Sequence, residues 1–209
     1  MRKMSVVWKS CIVLCALEGI LLQMGIMSGT LSFYSFRMFT VLSNALTVIY
    51  YVLAIAAGSG RGAWCPALKL MMVVSILLTG GVSFVMLQDL MVGASDIQRL
   101  SLILMHDVVP IAVLVDWLFM DSHGSLRISD PILALFPAGL YSAVALIGAQ
   151  FGYGLGSKGS RYPYPFMDID QRGLVPVLIT EAILLVILLA VGFLLYGIDR
   201  WASSGGRRK

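Results

Sequence analysis

Charged side chains are scarce in this sequence: Asp, Glu, Lys and Arg supply 12% of its 209 residues, against 59% hydrophobic residues and a mean hydropathy of +0.91. So little polar surface cannot cover a water-soluble globule of this size, which makes lipid the solvent for much of the chain. Cysteine is almost missing too. Cys11 and Cys15 lie in an apolar stretch and Cys65 in a connection, and the odd count, with no CxxC or Cys/His spacing, argues against zinc and against a disulfide framework. A phosphate-binding loop, a dinucleotide fingerprint and an internal repeat are also lacking, so neither a cofactor nor a metal is expected. The net charge of +4 and the pI near 9.1 would suit nucleic acid, but the basic residues sit at segment ends and in connections rather than along one face. No nucleic-acid partner is expected.

What the chain does have is apolar runs of bilayer-spanning length, at 5–27, 35–57, 67–90, 98–120, 131–152 and 174–199. They predict an all-α fold, a polytopic membrane bundle of six transmembrane helices in a single domain over 1–209. The opening MRKMSVVWKSCIVLCALEG has the basic tip of a signal peptide, yet Lys9 and Glu18 interrupt it and no small-x-small cleavage site follows, so it reads as a retained first span. Short connections predict antiparallel neighbours. One side then collects Arg2, Lys3, Lys9, Arg61, Lys69, Arg127, Arg200, Arg207, Arg208 and Lys209, and the other Arg37, Arg99, Lys158, Arg161 and Arg172. The richer side, with both the N and C termini, is expected to be cytoplasmic.

Polar groups inside a bilayer cost several kcal/mol unless paired, so their positions carry the information. On the expected topology Thr40 lies on the order of 8 Å below the start of span two and Asn44 one turn deeper, while His106 lies about 12 Å down span four. Glu181 in span six and Glu18 and Gln23 in span one reach the same layer. Gln88, Asp89 and Gln150 mark the outer rim. Arg37, Thr40, Asn44 and Thr47 follow helical spacing and form one stripe, which faces protein or water rather than lipid. For Thr40, Ser43, Asn44 and Thr47 taken singly, a hydrogen bond across packed helices is the plainer reading.

His106 is the side chain best suited to general-base work near neutral pH, although a lone membrane histidine is as often a satisfied core residue. Asp107 points elsewhere around the helix. Pro110 deprives the His106 carbonyl of its usual intrahelical donor and predicts a kink there. Asp116, Trp117 and His123 read as interface anchors or local pairs. Glu18 and Glu181 read as mutual partners, proton-relay groups or site walls.

Three motifs occur in order: RMFTVLSN on span two, MHDVVPIAVLVDW on span four and RYPYPFMDID before span six. Together they resemble the six-span integral membrane family of the androgen-induced protein and the androgen-dependent TFPI-regulating protein, its prokaryotic branch in particular. The resemblance implies a threonine-type hydrolase of fatty-acid esters of hydroxy fatty acids. It assigns the nucleophile to Thr40 and its partner to His106, with a membrane lipid or fatty-acid ester as substrate and the bacterial inner (plasma) membrane as the location. The Ser43–Asn44 pair and the full YPYPF string follow the prokaryotic branch rather than the animal branch, in which the activity is characterised.

The mechanism expected from these residues has His106 activating the Thr40 hydroxyl. Asn44 and Ser43 are candidate oxyanion or substrate contacts, together with Glu181, Glu18 and Gln23, and Arg37 is placed to hold a substrate carboxylate near the rim. Tyr162, Pro163, Tyr164, Pro165 and Phe166 would form a lid or gate. Two other readings compete: a proton-coupled or small-solute transporter, which needs polar groups through both leaflets, and a non-catalytic lipid-binding membrane protein.

Overall fold

The computed structural model describes residues 2–29, 31–58, 64–86, 94–156 and 159–205, without the side chains of 2, 3 and 205. Among the described residues six helices are long and apolar enough to cross a membrane: Met4–Gln23 (α1), Phe39–Ala56 (α2), Pro66–Met86 (α3), Asp96–Met120 (α4), Asp130–Gln150 (α5) and Leu174–Ser204 (α6). Among the described residues there is no strand. The protein is an all-α polytopic bundle, as its composition requires. The most apolar helix, α6, has a mean hydropathy of 2.8 and only 17% of its apolar window buried within the protein. An oily helix left uncovered by protein is solvated by lipid. The basic residues Arg61, Lys158, Arg207, Arg208 and Lys209, the side chains of Arg2 and Lys3, and the rim residues Gln88 and Asp89 lie outside the described residues.

Local chemistry sets the helix ends and corrects two boundaries, and α6 runs on to Ser204, past its expected end at residue 199. α1 stops at Gln23 instead of continuing to residue 27, because Gly25 and Gly29 take positive φ (87° and 74°) around a short 3-10 turn, Ile26–Ser28. Span two starts at Phe39 instead of residue 35: Phe33–Arg37 is a separate 3-10 turn capped by the Ser32 side chain, and Met38 is extended (φ −90°, ψ 134°) before α2 begins. α4 opens on a capping box in which Ser95 accepts from the Gln98 N–H and the Gln98 side chain accepts from Ser95 N–H. Asp168 caps the short helix Ile169–Arg172, and Gly173 (φ 81°) ends it so that α6 can start at Leu174.

The disturbance expected beside Pro110 takes the form of a π-helical turn, Leu104–Val108, and α4 has a second one, Asp116–Met120, that was not expected. Pro110 has no N–H to donate, and Val109 donates instead to the Leu104 carbonyl five residues back. The widened turn carries His106 against α3, where a glycine admits it. A β-carbon on Gly80 would sit 2.9 Å from the His106 carbonyl oxygen and 3.3 Å from Pro110 Cβ. Gly80→Ala is therefore expected to push α3 from α4 and lower thermal stability in detergent by about 1–3 kcal/mol, the usual cost of overpacking. An unchanged melting temperature would show that the contact yields without strain.

The start of α1, the end of α6 and the ends of α2 and α4 share one end of the bundle, where His123 stacks on Trp117 with centroids 5.0 Å apart and its Nδ1 lies 3.6 Å from Asp199. Asp199 also accepts from the backbone N–H groups of Gly124 and Leu126, tying the α4–α5 loop to α6. These contacts match the local-pair reading of His123.

Candidate functional site

At the opposite end of the bundle, α2 to α6 surround a cavity roofed by the segment before α6. About 540 Å³ is free of protein atoms, the open mouth included. Thr40 and His106 both line it. Around them stand Thr79 on α3, Tyr141 and Ser142 on α5, Tyr164 on the roof and Glu181 on α6. The rest of the wall is apolar, with Leu78, Val82, Ala138, Leu184 and Leu188 among its residues. A few converging polar groups in an otherwise oily pocket is the usual composition of a site for a largely apolar ligand.

Thr40 is the second residue of α2, not the sixth as the assumed start at residue 35 implied. It nevertheless lies level with the π turn of α4, because Val41 packs in one cluster with Met105, with Ile20 of α1 and with Met24 just beyond the end of α1. The early position has a chemical consequence. The first N–H groups of a helix have no intrahelical acceptor, and Met38 offers no side-chain cap. The Thr40 N–H donates to the Tyr164 hydroxyl at 3.4 Å, and that hydroxyl also reaches the Thr40 side chain and the Phe39 backbone. Burial pushes the Tyr164 phenol above its ordinary value, so it stays neutral and keeps a proton to donate.

His106 is buried, and its Nδ1 lies 3.3 Å from the Thr79 carbonyl. A carbonyl only accepts, so this bond puts the proton on Nδ1 and leaves Nε2 as a base. The ring is oriented by backbone rather than by an acidic partner, and the neighbouring Asp107 is exposed on another face. Among the described residues no hydrogen bond joins Thr40 directly to His106. They share the cavity wall, and the polar network behind them holds their helices together. Ser43 Oγ donates to the Thr40 carbonyl at 3.0 Å and lies 2.7 Å from Thr79 Oγ1, coupling α2 to α3.

Asn44 does not line the cavity. Its amide nitrogen donates to the Thr40 carbonyl at 2.8 Å and the Met105 carbonyl at 3.3 Å, bracing α2 against the π turn beside His106. With both donors engaged, Asn44 and its neighbour Ser43 act as interhelical braces. Arg37 is exposed on the 3-10 turn, over the Tyr34 ring at 4.2 Å, and donates to the Gly154 carbonyl at 3.3 Å. It faces a second, apolar groove between α2, α3 and α5 whose wall shares Phe39 and Tyr141 with the cavity. α1 contributes nothing to the cavity lining. Glu18 is accordingly exposed on the outside of the bundle, and Gln23 Oε1 accepts from Ser101 Oγ at 3.3 Å.

The YPYPF segment is packed down over the cavity. Tyr162, Pro163 and Phe166 are buried, whereas Pro165 is exposed. The Tyr164 and Phe166 rings stack at 5.3 Å, and Tyr141 contacts both Tyr164 (6.3 Å) and Phe39 (5.2 Å). The ends of the segment are tied down. Tyr162 OH accepts from Gln150, Arg161 pairs with Asp170 at 2.6 Å, and Arg172 donates to the Pro165 carbonyl.

Sequence reasoning missed four features of this chain. Glu181 is paired with Ser142 Oγ at 2.7 Å, a contact across two helices that no local spacing announces. Tyr141 and Thr79 have ordinary apolar neighbours and stand out only once the helices are packed. The fourth lies near the termini. Lys69 contacts Asp116 at 2.5 Å and Asp121 at 3.2 Å, Lys9 lies 3.8 Å from Asp121, and Tyr51 donates to Asp116 at 2.8 Å. Lys9 and Lys69, counted above as charges at segment ends, are each only 1% exposed. The signal was there: Lys9 and Lys69 inside the first two turns of their spans, with Asp116 in the last turns of α4 and Asp121 just past its end, where hydrocarbon demands a partner for each buried charge.

Neither the family models, nor the curated proteins, nor the solved structures compared with this chain match it.

Proposed function

We propose that the protein is an intramembrane lipid-ester hydrolase with Thr40 as nucleophile and His106 as general base. The observation that carries this reading is that both side chains line one largely apolar cavity, with His106 Nδ1 against a backbone carbonyl and Nε2 left as a base. The motif resemblance to the androgen-induced protein family supports the same pair.

In the proposed reaction His106 Nε2 takes the Thr40 hydroxyl proton as Oγ1 bonds to the ester carbonyl carbon. The bond to the alcohol oxygen then breaks, and the imidazolium returns the proton to the departing alcohol. A water deprotonated by His106 cleaves the acyl-threonine, releasing the fatty acid and restoring the threonine. Nucleophile and base commonly close to hydrogen-bond distance only with substrate in place. The oxyanion donors in this scheme are the Tyr164 hydroxyl and the Thr40 N–H that now bonds to it, in place of the Asn44 amide. One acyl chain occupies the oily end of the cavity near Leu188, and the apolar groove beyond Phe39 and Tyr141 offers a path from the bilayer. Tyr164 and Phe166 cover the reacting carbonyl. The termini face the cytoplasm and the cavity lies in the outer leaflet, on the excess of Lys and Arg near the termini.

A transporter needs a polar route to the far end. Between the cavity and the Lys69–Asp116 cluster stand the fully buried Val73, Ile76, Val109 and Val113, beside the buried Ser75 and a Thr47 whose hydroxyl donates to the Ser43 carbonyl of its own helix. The hydrolase reading is tested with a fluorophosphonate probe on the purified protein, followed by mass spectrometry of the adduct. The expected result is an adduct on Thr40 that disappears in His106→Ala; labelling that persists in Thr40→Ala would overturn the assignment.

A further inference from the structure

Glu181 lines the same cavity as Thr40 and His106 and is only 8% exposed. Its Oε2 accepts from Ser142 Oγ at 2.7 Å, while among the described residues its Oε1 has no hydrogen-bond partner. None of the ion pairs among the described residues includes it. An acceptor or acid proton left unmet in hydrocarbon is costly, and the nearby cavity wall (Leu184, Leu185 and Leu188 on the following turns of α6) offers nothing to meet it. Glu181 forms part of the cavity wall, so the nearest unfilled space from which a group can meet this buried atom is the cavity.

The chemistry of that atom narrows the ligand. An ionised carboxyl needs a donor, and a protonated one can donate as well as accept. A hydroxyl does both and so fits either state. A ligand carboxylate fits only the acid form, and an alkyl ammonium would bring a second charge into an oily wall. We infer that Ser142 and Glu181 form a hydroxyl-binding subsite, so that the cavity takes an uncharged amphiphile carrying a free hydroxyl apart from its ester, such as a partial glyceride. The inference rests on reading the cavity as a lipid-ester site, and it adds a second polar contact on α5 and α6, across the cavity from α2. Substrates would then be sorted by their hydroxyl, with Thr40 and His106 acting on the ester.

The test uses ligands that cannot be hydrolysed, so that binding and catalysis are read apart. The full-length protein in lipid nanodiscs is titrated with 1-O-hexadecylglycerol and with its 2,3-di-O-methyl ether, and affinity is followed by thermal shift. The diol is expected to bind on the order of tenfold more tightly than the dimethyl ether, the worth of about one hydrogen bond. Glu181→Leu is expected to make the two ligands bind alike, with Glu181→Met as the longer apolar replacement should the leucine variant not fold. Thr40→Ala is expected to keep the preference. Equal affinities in the wild type, or a preference that survives removal of the carboxyl, would overturn the subsite. Discrimination by a wild type that cleaves no ester supports the subsite and removes the hydrolase reading; ester cleavage without discrimination does the reverse.

Discussion

Thr40→Ala and His106→Ala are each expected to reduce hydrolysis of a long-chain chromogenic ester by roughly 10²–10⁴-fold, the range that a positioned base or its nucleophile supplies. Because the two act as a unit, the double variant should be no worse than the single ones. Folding is not expected to be at stake in Thr40→Ala. Ser43 and Asn44 bond to the carbonyl of residue 40, which alanine retains, and the lost methyl and hydroxyl face the cavity. His106→Ala removes the bond from Nδ1 to the Thr79 carbonyl, so His106→Gln serves as a second variant that fills more of the space. Size-exclusion profiles and melting temperatures in detergent check both. Wild-type turnover by either folded variant would sink the mechanism, and additive losses in the double variant would mean that the two residues act separately.

Lys69→Met is expected to destabilise the protein by about 3–5 kcal/mol, the cost of leaving buried charge without its partner. Lys69 stands between Asp116 and Asp121, and Tyr51 also donates to Asp116, so removing the ammonium leaves two buried carboxylates with Lys9 as the remaining cation of the cluster. Burial already pushes the Asp121 carboxyl above the usual range, and Lys69 is the main influence pulling it back. Adding Asp116→Leu to Lys69→Met leaves one lysine and one aspartate, and is expected to recover roughly half of the loss. Equilibrium unfolding of the two single variants and the double variant measures this coupling. Purely additive losses would show that the cluster does not act as one neutral unit. Its role is structural: it joins α1, α2, α3 and α4 at the end opposite the cavity.

Much of the architecture was legible in the sequence because a span is announced by the residues within it. Spans three, four, five and six begin within two residues of their expected starts. The exceptions are instructive. The Phe33–Arg37 turn is as apolar as a helix start, and only the Ser32 cap and the extended Met38 separate it from α2. That error misplaced Thr40 along its helix. The residue still reached the cavity, because its first turn packs level with Met105. Asn44 and Arg37 share the helical stripe with Thr40 in sequence, yet one braces the helices and the other sits outside the helix altogether. Periodicity identifies a face; it does not say which members of that face meet a cavity.

The run of apolar side chains by itself determined six membrane-spanning helices, since transfer into hydrocarbon is summed over local residues. Thr40 and His106 were also marked beforehand as polar groups unsuited to lipid contact, while their pairing as nucleophile and base came from the motif resemblance alone. Only the packed bundle decided what each polar atom touches: the Thr79 carbonyl for His106, Ser142 for Glu181, and two aspartates for Lys69. Those meetings depend on helix rotation and on close approaches such as Gly80 against the His106 carbonyl. The partners are far apart along the chain, and no local pattern encodes them.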